Sequence, residues 1–231
     1  IRDRIEKAAD RADADAWLSA YSAEKAAFLK QRDADADMSL PIQPSGLFRT
    51  MRGVFPSDAI ITMDAGTLCL QATDALQYGG PRSLFTPLDF GLVGFSFACG
   101  LGAKLACPER PVISLMGDGG FGMTLSELST AVDYGINTVT IVMNNGCWGA
   151  EKAYQRDFFG GRYIGADISS PPFDKLAELY GAAGYKAETL DEVGDAVKAA
   201  LNGNKPAVID VEVDPAALYS FRRDSFKHRG G

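Results

Sequence analysis

Four short apolar runs, Ala59–Met63, Val112–Met116, Thr138–Met143 and Ala207–Val213, stand between turn residues. Their apolar positions follow one another instead of alternating with polar ones, which suits strands buried on both faces of a parallel sheet. Between them, Phe95–Ala106, Thr124–Tyr134, Phe173–Tyr180 and Asp191–Leu201 carry patterns of helix length. Strands alternating with helices predict an α/β fold, a doubly wound and mostly parallel sheet flanked by helices. Open sheets of this kind bind ligands beyond the carboxyl ends of their strands, so the loops after Met63, Met116 and Met143 come first as candidate sites.

The chain begins differently. From Arg2 to about Lys30 it is rich in Ala and charge, and Trp17, Tyr21 and Phe28 fall on one narrow helical stripe that needs a partner. The acidic stretch Asp33-Ala34-Asp35-Ala36-Asp37, followed by Pro41 and Pro44, predicts a boundary near residue 37. The expected organisation is a linker helix ending a preceding domain over 1–37, a ligand-binding domain over 38–215 and a tail over 216–231. The first residue is Ile1 and it opens inside a helical pattern, from which we expect more chain upstream.

Composition narrows the classes. With 231 residues, 46% hydrophobic and 23% charged, the chain can bury a full core. A net charge of −7 gives no broad positive field for nucleic acid, while leaving room for a local anion site. No apolar run approaches the ~18 residues that span a bilayer, nor is there a secretory leader pattern, so the expected location is the cytoplasm. Cys69, Cys99, Cys107 and Cys147 form no CxxC pair and His228 is the sole histidine, which leaves a Cys/His zinc site without ligands.

The three loops at the strand ends are Asp64-Ala65-Gly66-Thr67, Gly117-Asp118-Gly119-Gly120 and Asn144-Asn145-Gly146. Residues 120–143, 24 in number, allow one helix and one returning strand, so neighbouring parallel strands would set Asp118 beside Asn145. A carboxylate and an amide oxygen among glycines suit a hard, oxygen-seeking cation that carries a diphosphate, as Mg²⁺ does. Gly119 and Gly120, opening a helix expected to start near Thr124, would add free N–H groups for the phosphates. The alternative is a pair of ordinary βα turns.

At these residues the chain resembles thiamine-diphosphate-dependent enzymes, whose signature runs Gly-Asp-Gly, an interval of this length, then Asn-Asn. The resemblance implies that Asp118, Asn145 and the backbone carbonyl of Cys147 ligate Mg²⁺. It implies thiamine diphosphate contacts from Asp64, Gly66, Thr67, Gly117, Gly119, Gly120, Trp148 and Gly149. Gly91-Leu92-Val93-Gly94-Phe95 is similar to the segment that supplies the apolar wedge under the cofactor in the acetohydroxyacid synthase-like branch, which adds Gly91 and Val93. Val93 is shorter than the side chain that branch members commonly carry there.

Within that branch, Trp148-Gly149-Ala150-Glu151-Lys152 with Gln155 and Asp157-Phe158, and the tail Phe221-Arg222-Arg223-Asp224, are similar to sulfoacetaldehyde acetyltransferases. Those enzymes turn sulfoacetaldehyde and phosphate into acetyl phosphate and sulfite. The other readings are decarboxylation and condensation of a 2-oxo acid, as in acetolactate synthase, and a cofactor-binding module without catalysis. Lys152 and Arg156, at i and i+4, form either a solvated basic face or the wall of an anion pocket. Arg222 and Arg223 belong either to a solvated tail or to a flap for an anionic carbonyl substrate. The family's activating glutamate resides in a pyrimidine-binding domain, of this or a neighbouring subunit, outside these residues. A homodimer or homotetramer is therefore expected.

Overall fold

The four apolar runs form the centre of a six-stranded sheet in the computed structural model, which describes residues 11–87 and 90–219. The strands are β1 (Ile60–Met63), β2 (Leu84–Phe85), β3 (Val112–Gly117), β4 (Val139–Asn144), β5 (Ala183–Ala187) and β6 (Ala207–Glu212). They lie in the order β2-β1-β3-β4-β6-β5, every pair parallel. β1 connects outward to β2 while β3 and β4 continue the other way, so the winding reverses between β1 and β3. A crevice opens at such a reversal, outside the carboxyl ends of the strands.

The helices are α1 (Arg11–Ala34), α2 (Pro44–Val54), α3 (Thr67–Ala75), α4 (Phe95–Ala106), α5 (Asp118–Thr124), α6 (Glu127–Asp133), α7 (Gly149–Phe158), α8 (Phe173–Tyr180) and α9 (Leu190–Asn202). Two apolar layers follow from strand alternation. Ile113, Leu115, Ile141, Met143 and Ile209 join Leu47, Leu68 and Val197 from α2, α3 and α9 on one face. Met116, Val142 and Val208 join Phe97, Leu128 and Ala177 from α4, α6 and α8 on the other. On that second face α4 sits close against the sheet because it presents Gly100, where an added Cβ would fall 2.1 Å from Ser114 Oγ. The Thr62 hydroxyl lies within 3.0 Å of both the Ser96 and Ser114 hydroxyls, and Ser96 Oγ donates to the Thr62 carbonyl at 2.9 Å, so these buried polar groups are satisfied.

The chain divides into two compact units, Ile1–Ala36 and Asp37–Gly231. In the first, α1 runs to Ala34, past the Lys30 expected from the pattern and into the acidic stretch. Trp17 and Tyr21 stack on each other, with ring centroids 5.5 Å apart, and both are exposed. In the second, Pro44 does not merely close a linker; it opens α2, where its missing N–H costs nothing and its fixed φ is already helical.

One expected boundary is corrected. The helix placed near Thr124 starts at Asp118, ends at Thr124 and restarts at Glu127. Gly119, Gly120 and Gly122 have low helix propensity and concealed it. Packing supplies the stabilisation: Phe121 is fully buried with its ring edge-on to Phe97 and Phe173, at 5.5 and 5.2 Å. Each such pair adds about 0.5–1.5 kcal/mol beyond area burial, enough to offset much of the glycine cost.

Candidate functional site

Parallel pairing of β3 with β4 aligns Gly117 with Met143, so the residues that follow each strand leave the sheet together. Asp118, the first residue of α5, and Asn145, in the turn before α7, are thereby carried to the same edge. Asp118 is 3% exposed. Its Oδ2 accepts from Ser170 Oγ at 2.7 Å, and its carboxylate also receives the backbone N–H groups of Gly119 and Gly146. Burial pushes the Asp118 carboxyl above the ordinary carboxylate range, the hydrogen bonds pulling partly back. Among the described residues no Lys or Arg pairs with it.

The Asn145 turn is fixed by a short return of chain. Trp148 N–H donates to the Ala166 carbonyl at 2.7 Å and Ile168 N–H to the Gly146 carbonyl at 3.0 Å, flanking an antiparallel bridge between Cys147 and Asp167. Among the described residues the Cys147 carbonyl accepts no hydrogen bond. Its thiol is buried, which pushes its pKa up to about 11; the side chain is a thiol and not a thiolate, and only the carbonyl is suited to a hard cation.

The glycines place the remaining residues. An added Cβ at Gly149 would lie 3.2 Å from Asn145 Nδ2 and 3.3 Å from Thr67 Oγ1, so the start of α7, the Asn145 side chain and the start of α3 adjoin. A Cβ at Gly119 would lie 2.5 Å from the Trp148 ring, which covers that backbone, and one at Gly120 would lie 2.1 Å from Asp64 Oδ2 and 3.4 Å from Val93 Cγ1. At Gly66 and Gly117, by contrast, a Cβ would meet nothing within 4 Å. These two glycines precede α3 and α5, neither of which has a side-chain cap, and α7 has none either. Apart from the Gly119 N–H, which the Asp118 carboxylate receives, these uncapped N–H groups are of the kind that could receive anionic oxygens.

α4 differs, and Asp64 is the reason. Its carboxylate, 3% exposed, accepts from Gly94 N–H at 2.9 Å and Ser96 N–H at 3.4 Å. Asp64 thus caps α4 and anchors the loop carrying Val93, with its charge directed inward; burial also pushes this carboxyl up. Gly91, at φ +60°, is exposed and meets nothing within 4 Å.

The substrate candidates separate. Lys152 is ion-paired with Asp167 and lies over the Tyr163 ring, 5.5 Å from its centroid. Arg156 binds Asp157 through Nε at 2.7 Å and donates to the Leu218 carbonyl at 3.0 Å. Both cations of α7 therefore have carboxylate partners. Arg222 and Arg223 lie outside the described residues.

Two contributors were not singled out from sequence, Ser170 and Asp210, and Asn144 entered only as part of its loop, with no role of its own. Asn144 Nδ2 donates to Asp210 Oδ1 at 3.0 Å. A signal existed, because the apolar run Ala207–Val213 holds two charges, Asp210 in its middle and Glu212 near its end, and a buried strand does not carry a carboxylate in its middle without a partner. Ser170 carried no such mark.

Among the described residues there is no cluster of three His, Cys, Asp or Glu side chains able to hold a metal. A cation here would rest on one carboxylate with amide and carbonyl oxygens. No described helix is long and apolar enough to cross a membrane.

Comparison with known proteins gives the same emphasis. Residues 64–211 match the family described as thiamine pyrophosphate enzyme, C-terminal TPP binding domain. The chain is 34% identical over 188 residues to a sulfoacetaldehyde acetyltransferase of Castellaniella defragrans, covering 80% of this chain and 31% of that protein. It is 30% identical over 217 residues to a probable acetolactate synthase large subunit of Methanococcus aeolicus, covering 91% and 36%. Among solved structures, the thiamine diphosphate-dependent 4-hydroxybenzoylformate decarboxylase of Rhodococcus jostii RHA1 superposes with a TM-score of 0.71 at 31% identity, covering 77% of this chain and 34% of that one. The chain spans about a third of the length of the relatives it matches. A winding reversal between β1 and β3, and a buried carboxylate with no basic partner among the described residues, thus stand in a chain that belongs to the thiamine pyrophosphate enzymes, as their C-terminal TPP-binding domain.

Proposed function

We propose that this domain holds Mg²⁺ and the diphosphate of thiamine diphosphate, and so forms one half of the active site of an acyl-transferring enzyme. One observation carries the reading: the buried Asp118 carboxylate, with no basic partner among the described residues, shares a sheet edge with the Asn145 amide and the unbonded Cys147 carbonyl. These are the oxygen types that Mg²⁺ takes, leaving its other positions to phosphate and water. Asp118, Asn145 and the Cys147 carbonyl would hold the cation, and the N–H groups after Gly66 and Gly117 would receive phosphate oxygens. Bound thiamine diphosphate supplies a nucleophilic thiazolium carbon for carbonyl substrates, and the protein's part is to orient and support it electrostatically. Val93, over Gly120, offers the apolar support beneath the cofactor, and the Trp148 ring covers the backbone at Gly119.

The substrate reading is sulfoacetaldehyde plus phosphate to acetyl phosphate plus sulfite. It is supported by the identity to sulfoacetaldehyde acetyltransferases, at 34% and 32%, and by the residues of α7. An anionic substrate in a protein of net charge −7 needs local positive charge. Because Lys152 and Arg156 are neutralised by Asp167 and Asp157, that role passes to Arg222 and Arg223. A second reading, acetolactate synthase-like condensation of 2-oxo acids, is favoured by the greater share of the chain, 91%, matched in the Methanococcus aeolicus protein. Turnover of sulfoacetaldehyde with phosphate, against turnover of pyruvate, separates the two. Leu92 and Met123, adjoining Val93 and Gly120, are 59% and 64% exposed and offer an apolar surface for a pyrimidine-binding domain, in a homodimer or homotetramer placed in the cytoplasm.

The experiment for the cation–diphosphate assignment is Asp118→Ala in the intact protein. Calorimetric titration with thiamine diphosphate should show Mg²⁺-dependent binding in the parent and none in the variant. Equal affinity in both would remove the assignment.

A further inference from the structure

Behind the proposed ligands the polar contacts close into a ring. Asn144 Nδ2 donates to Asp210 Oδ1 at 3.0 Å, and Asn144 Oδ1 accepts from Gly146 N–H at 3.3 Å. The same Gly146 N–H reaches the Asp118 carboxylate, whose Oδ2 accepts from Ser170 Oγ at 2.7 Å. Three residues after Ser170, Phe173 N–H donates to Asp210 Oδ2 at 3.1 Å, and the circuit returns to its start. It joins the middle of β6, the end of β4, the start of α5 and the segment entering α8.

We propose that Asp210 is a positioning residue for the cation site: by fixing Asn144 it fixes the turn that presents Asn145 and the N–H that orients Asp118. The inference rests on reading Asp118 and Asn145 as holders of Mg²⁺. Asp210 lies two residue pairs back from the end of the β4–β6 ladder, opposite Val142, and is 5% exposed. A carboxylate accepts on both oxygens and donates on neither, so it can satisfy two donors at once, here the Asn144 amide nitrogen and the Phe173 N–H. An acceptor-only neighbour leaves Asn144 a single amide orientation, nitrogen toward Asp210 and oxygen toward Gly146. That oxygen closes the turn, of the type in which an Asn side chain binds the backbone two residues on. Gly146, at φ +65°, lets the chain reverse there without strain from a Cβ. With Asn at position 210 one donor would face another, and the Asn144 amide would be free to turn over. Side chains that orient metal-holding groups without touching the metal affect affinity strongly, by about 10–100-fold when removed.

The test titrates the intact protein calorimetrically with Mg²⁺ in the presence of excess free thiamine diphosphate. Asp210→Asn should raise the Mg²⁺ Kd about tenfold, with kcat recovered at saturating Mg²⁺. Asn144→Ala should raise it similarly, and the double variant should add little, because Asp210 acts through Asn144. A parental Kd in Asp210→Asn, or penalties that add in the double variant, would overturn the inference. So would a lowered melting temperature of the cation-free variant with Mg²⁺ affinity unchanged, which is what a purely structural role predicts. If Asp210→Asn does not fold, Asn144→Ala decides in the same way. A parent that binds thiamine diphosphate without Mg²⁺ would overturn the reading of the site itself, a different result from a parent that needs Mg²⁺ and a variant that does not differ from it.

Discussion

Gly120 lies in a gap one hydrogen atom wide. A methyl group there would fall 2.1 Å from Asp64 Oδ2, and Asp64 cannot swing aside because Gly94 N–H holds it at 2.9 Å. Gly120→Ala should therefore destabilise the fold by about 1–3 kcal/mol, the usual cost of overpacking. Gly122, two residues on in the same helix, meets nothing within 4 Å, and Gly122→Ala should stabilise by up to ~1 kcal/mol through reduced backbone entropy. Urea unfolding of the pair checks both signs. Asp64 carries a pH signature as well. Burial raises its folded-state pKa above the ordinary value of 3.8, so just above that value the folded protein holds more protons than the unfolded chain, and this residue's contribution to stability grows as pH falls. That is opposite in sign to a salt-bridged carboxylate. Asp64→Asn should flatten the dependence of the urea midpoint between neutral pH and pH ~4; an unchanged slope would contradict the burial argument.

Elements were legible in proportion to how far their own residues determine them. α4 and α8 run over the spans their patterns predict, Phe95–Ala106 and Phe173–Tyr180, because each carries its apolar face in sequence. α9 adds a local start signal: Thr189 Oγ1 accepts from Glu192 N–H, and the Glu192 carboxylate accepts from Thr189 N–H at 3.0 Å. This reciprocal cap predicts that Thr189→Ala costs about 1 kcal/mol in denaturant unfolding and leaves cofactor binding untouched, since α9 packs on α2 and the sheet edge away from Asp118. α5 is the counter-case. Three glycines in seven residues read as a loop, and only the cavity between Phe97 and Phe173, filled by Phe121, makes the segment a helix. Local propensity is a prior that packing overrode.

At the scale of the whole molecule, residues 1–231 expressed alone should bind Mg²⁺ and thiamine diphosphate weakly and turn over no substrate. The proposed site offers groups for the diphosphate end only, and the activating carboxylate is expected on another domain. Steady turnover by this segment as a monomer would refute that division of labour. The sequence by itself determined the alternation that makes a parallel sheet, and it named Asp118 and Asn145, because strand ends and the residues that follow them are fixed by chain order. Tertiary structure decided what each of those residues does. Asp64 and Asp118 look alike in sequence, each following an apolar strand and preceding glycines, yet one binds the N–H groups that start α4 and the other the Ser170 hydroxyl. Which helix start receives a carboxylate depends on α4 folding back across β1, a contact between residues about 30 positions apart that no local pattern encodes. The ring through Asp210, Asn144 and Ser170 is likewise set by the β4–β6 register and the return of the chain to α8. Hydrogen bonds between distant segments depend on distance and angle, and those exist only once the sheet has formed.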